Sequence, residues 1–348
     1  MDHRTTNFTC AGTGLISLDV LFEGKSDSNP SVYAGGSCGN VLSILSYLKV
    51  KSLPISRLGK NKAAELIIDD FRKWGINTQF IDKEIKGSTP IIIHRILDSQ
   101  SGNPKHRFEF KNPDNGAWFP RFRPVLAKKV DEINEKLPEV DVFYFDRASR
   151  SSIELAKAAK QNGTLVYFEP SSCRDQKLFK ECLETSDILK YSNDRLPNFK
   201  SRFPTIQATL EIETRGKEGL AYRFKSNVWN TIKAYKIADV LDTAGAGDWC
   251  SAGIIKKLLD SKIKDLDLAS SNTIKDALHY GQAVGALSCL FKGARGLMYN
   301  LSVQNFHELI DELTDPSLKT SFKGTTTSTA ASSTKEFRLD LSQLLNEI

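Results

Sequence analysis

VLDTAGAGDWCSAGIIKKLL, residues 240–259, is the stretch on which the reading of this chain turns. Apolar residues lead into Asp242 and Thr243, and small residues fill Ala244, Gly245, Ala246 and Gly247. Asp248 follows, and Trp249, Cys250, Gly253, Ile254 and Leu258 then recur at helical spacing, so the stretch reads as a turn that opens a helix. Glycine lets the backbone approach a ligand closely, and the free N–H groups of a helix's first turn suit an anion. Asp248 is itself an anion there and would be repelled by a phosphate unless a cation or a hydroxyl proton lay between them. Phosphoryl transfer resolves that conflict, because a carboxylate accepts the proton of a substrate hydroxyl while backbone amides stabilise charge on the transferring group. A plain helix start, capped by Asp242 or Thr243 with Asp248 favouring the dipole, accounts for the same residues without any ligand.

Two familiar phosphate loops are excluded: there is no GxxxxGK followed by Ser or Thr, and Gly245-Ala246-Gly247-Asp248-Trp249-Cys250 lacks the third glycine of GxGxxG. Residues 242–248, DTAGAGD, closely resemble the DTxGAGD signature of the ribokinase-like (PfkB) carbohydrate kinase family. The resemblance implies that Asp248 is the catalytic base and that the amides of Gly245, Ala246 and Gly247 form an anion hole. It places Asp242 and Thr243 on the nucleotide side.

Length and composition are compatible with that resemblance. A chain of 348 residues can bury a large core as one main α/β domain. Lys+Arg 48 against Asp+Glu 42 gives a net charge of +6, but acids and bases are interleaved, which does not indicate nucleic-acid binding. Cys10, Cys38, Cys173, Cys182, Cys250 and Cys289 are scattered without a CxxC pair and are expected as reduced thiols. The first residues, MDHRTTNFTCAGTG, hold no apolar leader core, and no run approaches the roughly 18 apolar residues of a membrane span, so a cytoplasmic protein is expected.

Working outward, residues 8–12 and 15–21 read as extended segments, with Asp19 an acid among apolar neighbours that should meet a partner or edge a pocket. In the family an early Asp binds acceptor hydroxyls, a role that falls on Asp19. Gly35, Gly36 and Asn40 precede and open an apolar helix, matching the family's GG…N segment that cradles the substrate. Asn61 stands where the family usually has an acid and receives no role. Residues 63–74 form an amphipathic helix ended by Gly75. Residues 89–97 and 107–111 make a hairpin, and by resemblance the lid strands lie within 12–36 and 88–112, with a homodimer through the lid as one expectation. His94, Arg95 and Arg107 on these strands are candidates to reach substrate, although solvated strand faces explain their charges equally well.

From Val140 the pattern becomes βαβ, with Ser151 or Ser152 capping a helix that Gly163 ends. Parallel strands present ligands at their C-terminal ends, here Asp146-Arg147 and then Glu169-Pro170. The family's D-P-N is altered to Glu169-Pro170-Ser171. Its N-x-x-E keeps Asn193, near the nucleotide phosphates, but has Leu196 in place of the acid, with Asp194 the nearest substitute. Glu169 and Asp194 are therefore the candidate metal residues. Thr214, Gly216 and Gly219 fit the family's phosphate-touching T-x-G-x-x-G turn, and read alone they are an ordinary glycine hairpin. A helix over 273–291, opened by a Thr273-x-x-Asp276 pattern, carries Gly281 and Gly285, which require close contact with adenine or with a neighbouring helix. Gly293-Ala294-Arg295-Gly296 resembles the family's G-A loop, which in many members helps bind a monovalent cation such as K+.

The resemblance covers residues 8–312 and implies a three-layer αβα kinase domain over 1–318, with a mainly parallel central sheet and a small β lid. A Thr/Ser-rich linker (319–335) and an amphipathic segment (336–348) follow. The implied activity is transfer of the γ-phosphoryl of ATP, with Mg2+, to a hydroxyl of a sugar or sugar-like molecule. A nucleoside acceptor, with Phe22, Tyr33 or Trp118 stacking on the base, is a second reading. A nucleotide- or sugar-binding regulator without turnover, motivated by Leu196 and Glu169, is a third.

Overall fold

The computed structural model describes residues 8–23, 30–97, 105–204, 208–315 and 317. In chain order the first half runs β1 (Thr9–Thr13), β2 (Ser17–Glu23), β3 (Ser31–Gly35), α1 (Ser37–Tyr47), β4 (Lys51–Gly59), α2 (Lys62–Lys73), β5 (Ile81–Glu84), β6 (Ile91–Leu97), β7 (Lys105–Glu109) and α3 (Val130–Lys136). The second half runs β8 (Val142–Phe145), α4 (Arg150–Gln161), β9 (Leu165–Phe168), α5 (Gln176–Thr185), β10 (Ile188–Ser192), α6 (Phe199–Arg202), β11 (Leu210–Thr214), β12 (Leu220–Phe224), β13 (Asn230–Ile232), α7 (Ala246–Asp260), α8 (Ser271–Ser288), α9 (Gly296–Asn300) and α10 (Val303–Thr314).

A nine-stranded sheet has the order β13-β12-β11-β10-β9-β8-β1-β4-β5 and is parallel from β5 to β11; at one edge β12 runs against the others, pairing antiparallel with both β11 and β13. The central strands are apolar on both faces because helices cover both. Val142 and Tyr144 of β8, with Leu165 and Tyr167 of β9, join one core layer with α1, α7 and α8. Phe143 and Phe145, with Val166 and Phe168, join the other with α3, α4 and α5. The same two-residue period governs β10, where Ile188 belongs to the first layer and Leu189 and Tyr191 to the second. Lys190 is therefore carried into the interior on the α7 side, and it is 1% exposed.

A second sheet, β3-β2-β6-β7, stands apart from the first, with β2 antiparallel to β3, parallel to β6, and β6 antiparallel to β7. The turn expected between β6 and β7, and the segments expected over 319–335 and 336–348, lie outside the described residues.

Two expected caps fall elsewhere. A capping residue needs extended backbone, and Ser149 (φ −151°, ψ 161°) supplies it for α4, its side chain accepting from Ser152 N while Ser152 Oγ accepts from Ser149 N; Ser151 and Ser152 already lie within the helix. Helix α8 is likewise capped by Ser270, which accepts from Thr273 N, so Thr273 is the donor and not the cap. Asn61, left without a role, caps α2 by accepting from Ala64 N. All six cysteines are free thiols. No helix among the described residues is long and apolar enough to cross a membrane.

Candidate active site

The parallel strands end on one side of the sheet, and a cavity of about 1450 Å³ opens there, between those strand ends, the start of α7 and the small sheet. Helix α7 is preceded by Gly245 at its N-cap position, whose φ of +76° lies in the left-handed region; a side chain there would bring Cβ within 2.4 Å of the Ala294 carbonyl oxygen. No side chain caps this helix, and the expected caps do other work. Asp242 is buried, and its carboxylate accepts from Ala244 N (2.7 Å) and from Gly293 N (2.8 Å), tying the turn to the loop at 293–296. Thr243 is exposed on the cavity wall. Gly245, Ala246 and Gly247 all line the cavity, with no side chain capping the helix, and the Ala246 amide donates to the Thr243 carbonyl at 3.3 Å.

Asp248 is the third residue of the helix, in its first turn. Asn40, brought from the first turn of α1, donates through Nδ2 to Asp248 Oδ2 at 2.7 Å. Burial first, and then the Glu169 carboxylate, push Asp248 up to about 7, against the Asn40 bond and the charges of Arg195 and Lys190. A carboxylate so poised exchanges protons near neutrality.

Beneath the turn lies a network that sequence reasoning did not find. Lys190 Nζ forms an ion pair with Glu169 and donates to the Gly247 carbonyl at 3.1 Å. Glu169 also accepts from Ser251 Oγ (2.5 Å) and Tyr144 OH (3.1 Å). The signal available in the sequence was a lone lysine inside an otherwise apolar strand. Among the described residues no group of three or more His, Cys, Asp or Glu is placed to hold a metal. Glu169 and Asp194 both line the cavity, but Glu169 is already addressed by Lys190, Ser251 and Tyr144.

On the other side of the cavity, Asp19 of β2 accepts from Ser17 Oγ at 2.6 Å, and burial pushes it up to about 6. Gly35 leaves room for it, since a Cβ there would fall 2.0 Å from the Asp19 carboxyl carbon. Gly36, with φ +77°, caps α1 where a Cβ would meet the Leu15 carbonyl at 2.4 Å. Asp19, Gly36 and Asn40 line the cavity together with Tyr33, His94 and Phe108. Arg95 and Arg107 do not line it and instead pair with Glu109. Of the three aromatic residues expected to stack on a base, only Tyr33 reaches the cavity; Phe22 is 1% exposed in the core, and Trp118 is 62% exposed elsewhere.

At the far end, Thr214, Gly216 and Gly219 line the cavity, with Lys217 beside them, while Arg215 is paired with Glu213. Asn193 is exposed and does not line the cavity; its neighbours Ser192, Asp194 and Arg195 do. Gly281 meets a neighbouring helix, since a Cβ there would lie 2.7 Å from the Cys250 carbonyl and 2.5 Å from Ile254, whereas Gly285 both contacts Ala246 and lines the cavity.

The comparisons agree with this architecture. The chain is 29% identical over 317 residues to a probable chloroplastic fructokinase-6 of Arabidopsis thaliana, covering 82% of this chain and 78% of that one. The structure of a Xylella fastidiosa fructokinase with bound ATP superposes with a TM-score of 0.66 at 18% identity, covering 87% of this chain and 98% of the other. Aminoimidazole riboside kinase of Salmonella enterica, complexed with aminoimidazole riboside and an ATP analog, superposes with a TM-score of 0.65 at 17% identity, covering 87% and 99%. Residues 15–299 match the pfkB family carbohydrate kinase, and the chain belongs to that family.

Proposed function

We propose that this carbohydrate kinase transfers the γ-phosphoryl of ATP to a hydroxyl of a sugar or sugar-like acceptor, with Asp248 as the general base. The observation that carries the reading is the meeting of two helix starts. Helix α7 opens without a side-chain cap beside a carboxylate raised to about 7, and α1 brings Asn40 to hold that carboxylate at 2.7 Å. An acceptor seated against Asp19, Gly36 and Asn40 presents its hydroxyl to Asp248, which takes the proton as the oxygen attacks. The amides of Gly245, Ala246 and Gly247 hold the charge on the transferring group. Lys190 fixes the Gly247 carbonyl from below, keeping the turn in shape. The nucleotide lies toward Thr214, Gly216 and Gly219.

Magnesium, when bound, neutralises phosphate charge. It would enter on the nucleotide phosphates and their waters, with Asp194 and Glu218 the wall acids on that side to approach it, because the Glu169 oxygens are already committed.

Tyr33, whose ring lies in the cavity 4.7 Å from that of Tyr299, supports a second reading in which the acceptor is a nucleoside. The deciding experiment is ADP formation from Mg-ATP against pentoses, hexoses, polyols, sugar acids, sugar phosphates and nucleosides, with and without potassium. Acceptor-dependent ADP is the expected result and identifies the class. ATP binding without ADP across the panel would replace the kinase reading by a binding regulator.

A further inference from the structure

Arg295 is 3% exposed, yet it lines the acceptor end of the cavity with Asp19, Tyr33 and Gly36. Its Nη2 forms an ion pair with Asp70 of α2. Asp70 is otherwise filled, accepting from Tyr299 OH (3.0 Å to Oδ1) and from Ala34 N (2.9 Å to Oδ2). Arg295 Nη1, by contrast, is buried and has no hydrogen-bond partner. A buried donor on a charged group without an acceptor is costly, so an accepting partner is expected at Nη1.

Asp19 is the other acid within electrostatic reach of Arg295, and no hydrogen bond joins the two. The atom that completes both must accept from Arg295 Nη1 and present a proton to the Asp19 carboxylate. A hydroxyl does both at once. A carboxylate or phosphate would satisfy the guanidinium but would set its own negative charge against Asp19, with no proton to offer.

We propose that Arg295 and Asp19 share one acceptor hydroxyl, distinct from the one phosphorylated, and that Arg295 thereby selects a neutral polyol over a sugar acid or sugar phosphate bearing its charge at that end. Arg295 is then a specificity-determining residue. The acceptor in this inference is that of the kinase reading, but the binding step can be tested apart from turnover.

The test is ligand-induced thermal stabilisation, without nucleotide, of the full chain and of Arg295→Lys and Tyr299→Phe. The probes are neutral pentoses, hexoses and polyols, set against gluconate and glucose 6-phosphate. Lysine keeps a charge for Asp70 but has a single ammonium, so neutral-sugar affinity should fall roughly 10- to 100-fold, as expected for losing a buried hydrogen bond from a charged donor. ATP-induced stabilisation should not change. Tyr299→Phe weakens the Asp70 anchor and leaves Nη1 in place, so it should hold affinity within a few-fold. Strongest stabilisation by an anion, equal binding by Arg295→Lys, or stabilisation by no compound overturns the proposal. If Arg295→Lys does not fold, the neutral-against-anionic ranking of the unaltered protein decides alone. ADP formation separates the two readings: turnover of an anionic acceptor leaves the kinase standing without this selection, whereas Arg295-dependent sugar binding without ADP leaves the selection standing without the kinase.

Discussion

Replacing Asp248 by asparagine should remove turnover and, at the same time, stabilise the protein above pH 7. The side chain keeps its shape, and the new carbonyl still accepts from Asn40 Nδ2, so the local packing is retained. What disappears is an ionisable group that the site holds at a cost, since burial and the neighbouring Glu169 push Asp248 from 3.8 to about 7. An unfolded chain releases that proton near the ordinary value, while the folded chain keeps it until about pH 7. Through that window stability declines as pH rises, and above it the whole cost is present. The gap corresponds to about 4 kcal/mol, and because Asp248 faces an open cavity, about half of that is expected. The melting temperature at pH 8 should therefore rise by several degrees, and much less at pH 5. Loss of a general base lowers the rate by about 10²- to 10⁴-fold. Thermal unfolding at pH 5 and pH 8, with ADP formation on the acceptor found by the panel, checks both halves. An asparagine variant that is no more stable than the parent at pH 8, or that turns over within tenfold of it, refutes the assignment of a strained, catalytic carboxylate.

Two further outcomes follow from the same network. Asn40→Ala removes the donor that favours the ionised form of Asp248, so the acid limb of the pH–kcat/KM profile should move upward from about pH 7; a limb that stays or moves down contradicts the 2.7 Å bond as its cause. Lys190→Met strands Glu169 and the Gly247 carbonyl, and should cost about 3–5 kcal/mol in urea unfolding. Adding Glu169→Gln to that variant should restore part of the loss, whereas additive losses would show that the pair is not coupled.

Much of the site was legible because its chemistry is local. Small residues before an apolar helical period specify a turn and a helix start, and the position of Asp248 in that first turn follows from counting. Strand and helix order followed from the switch between periods of two and 3.6, and with it the side of the sheet on which the cavity opens. The resemblance at residues 242–248 then implied roles, proposed here for Asp248 and Gly245 to Gly247, that periodicity does not contain.

Only the tertiary structure decided which distant residues share a charge. Nothing near Asn40 in the sequence points to Asp248, 208 positions away, and nothing near Arg295 points to Asp70, 225 positions away. Asn193 fits its motif by spacing yet faces solvent, while Asp242, which fits equally well, is spent on binding two loops together. Lys190 looked like an ordinary lysine in a short strand until the sheet placed its side chain under Gly247 beside Glu169. The physical reason is that local pattern fixes dihedrals and faces, whereas a pKa, an ion pair or an unpaired donor depends on which elements pack within a few ångströms, and that is set by the closure of the whole sheet and its two helix layers.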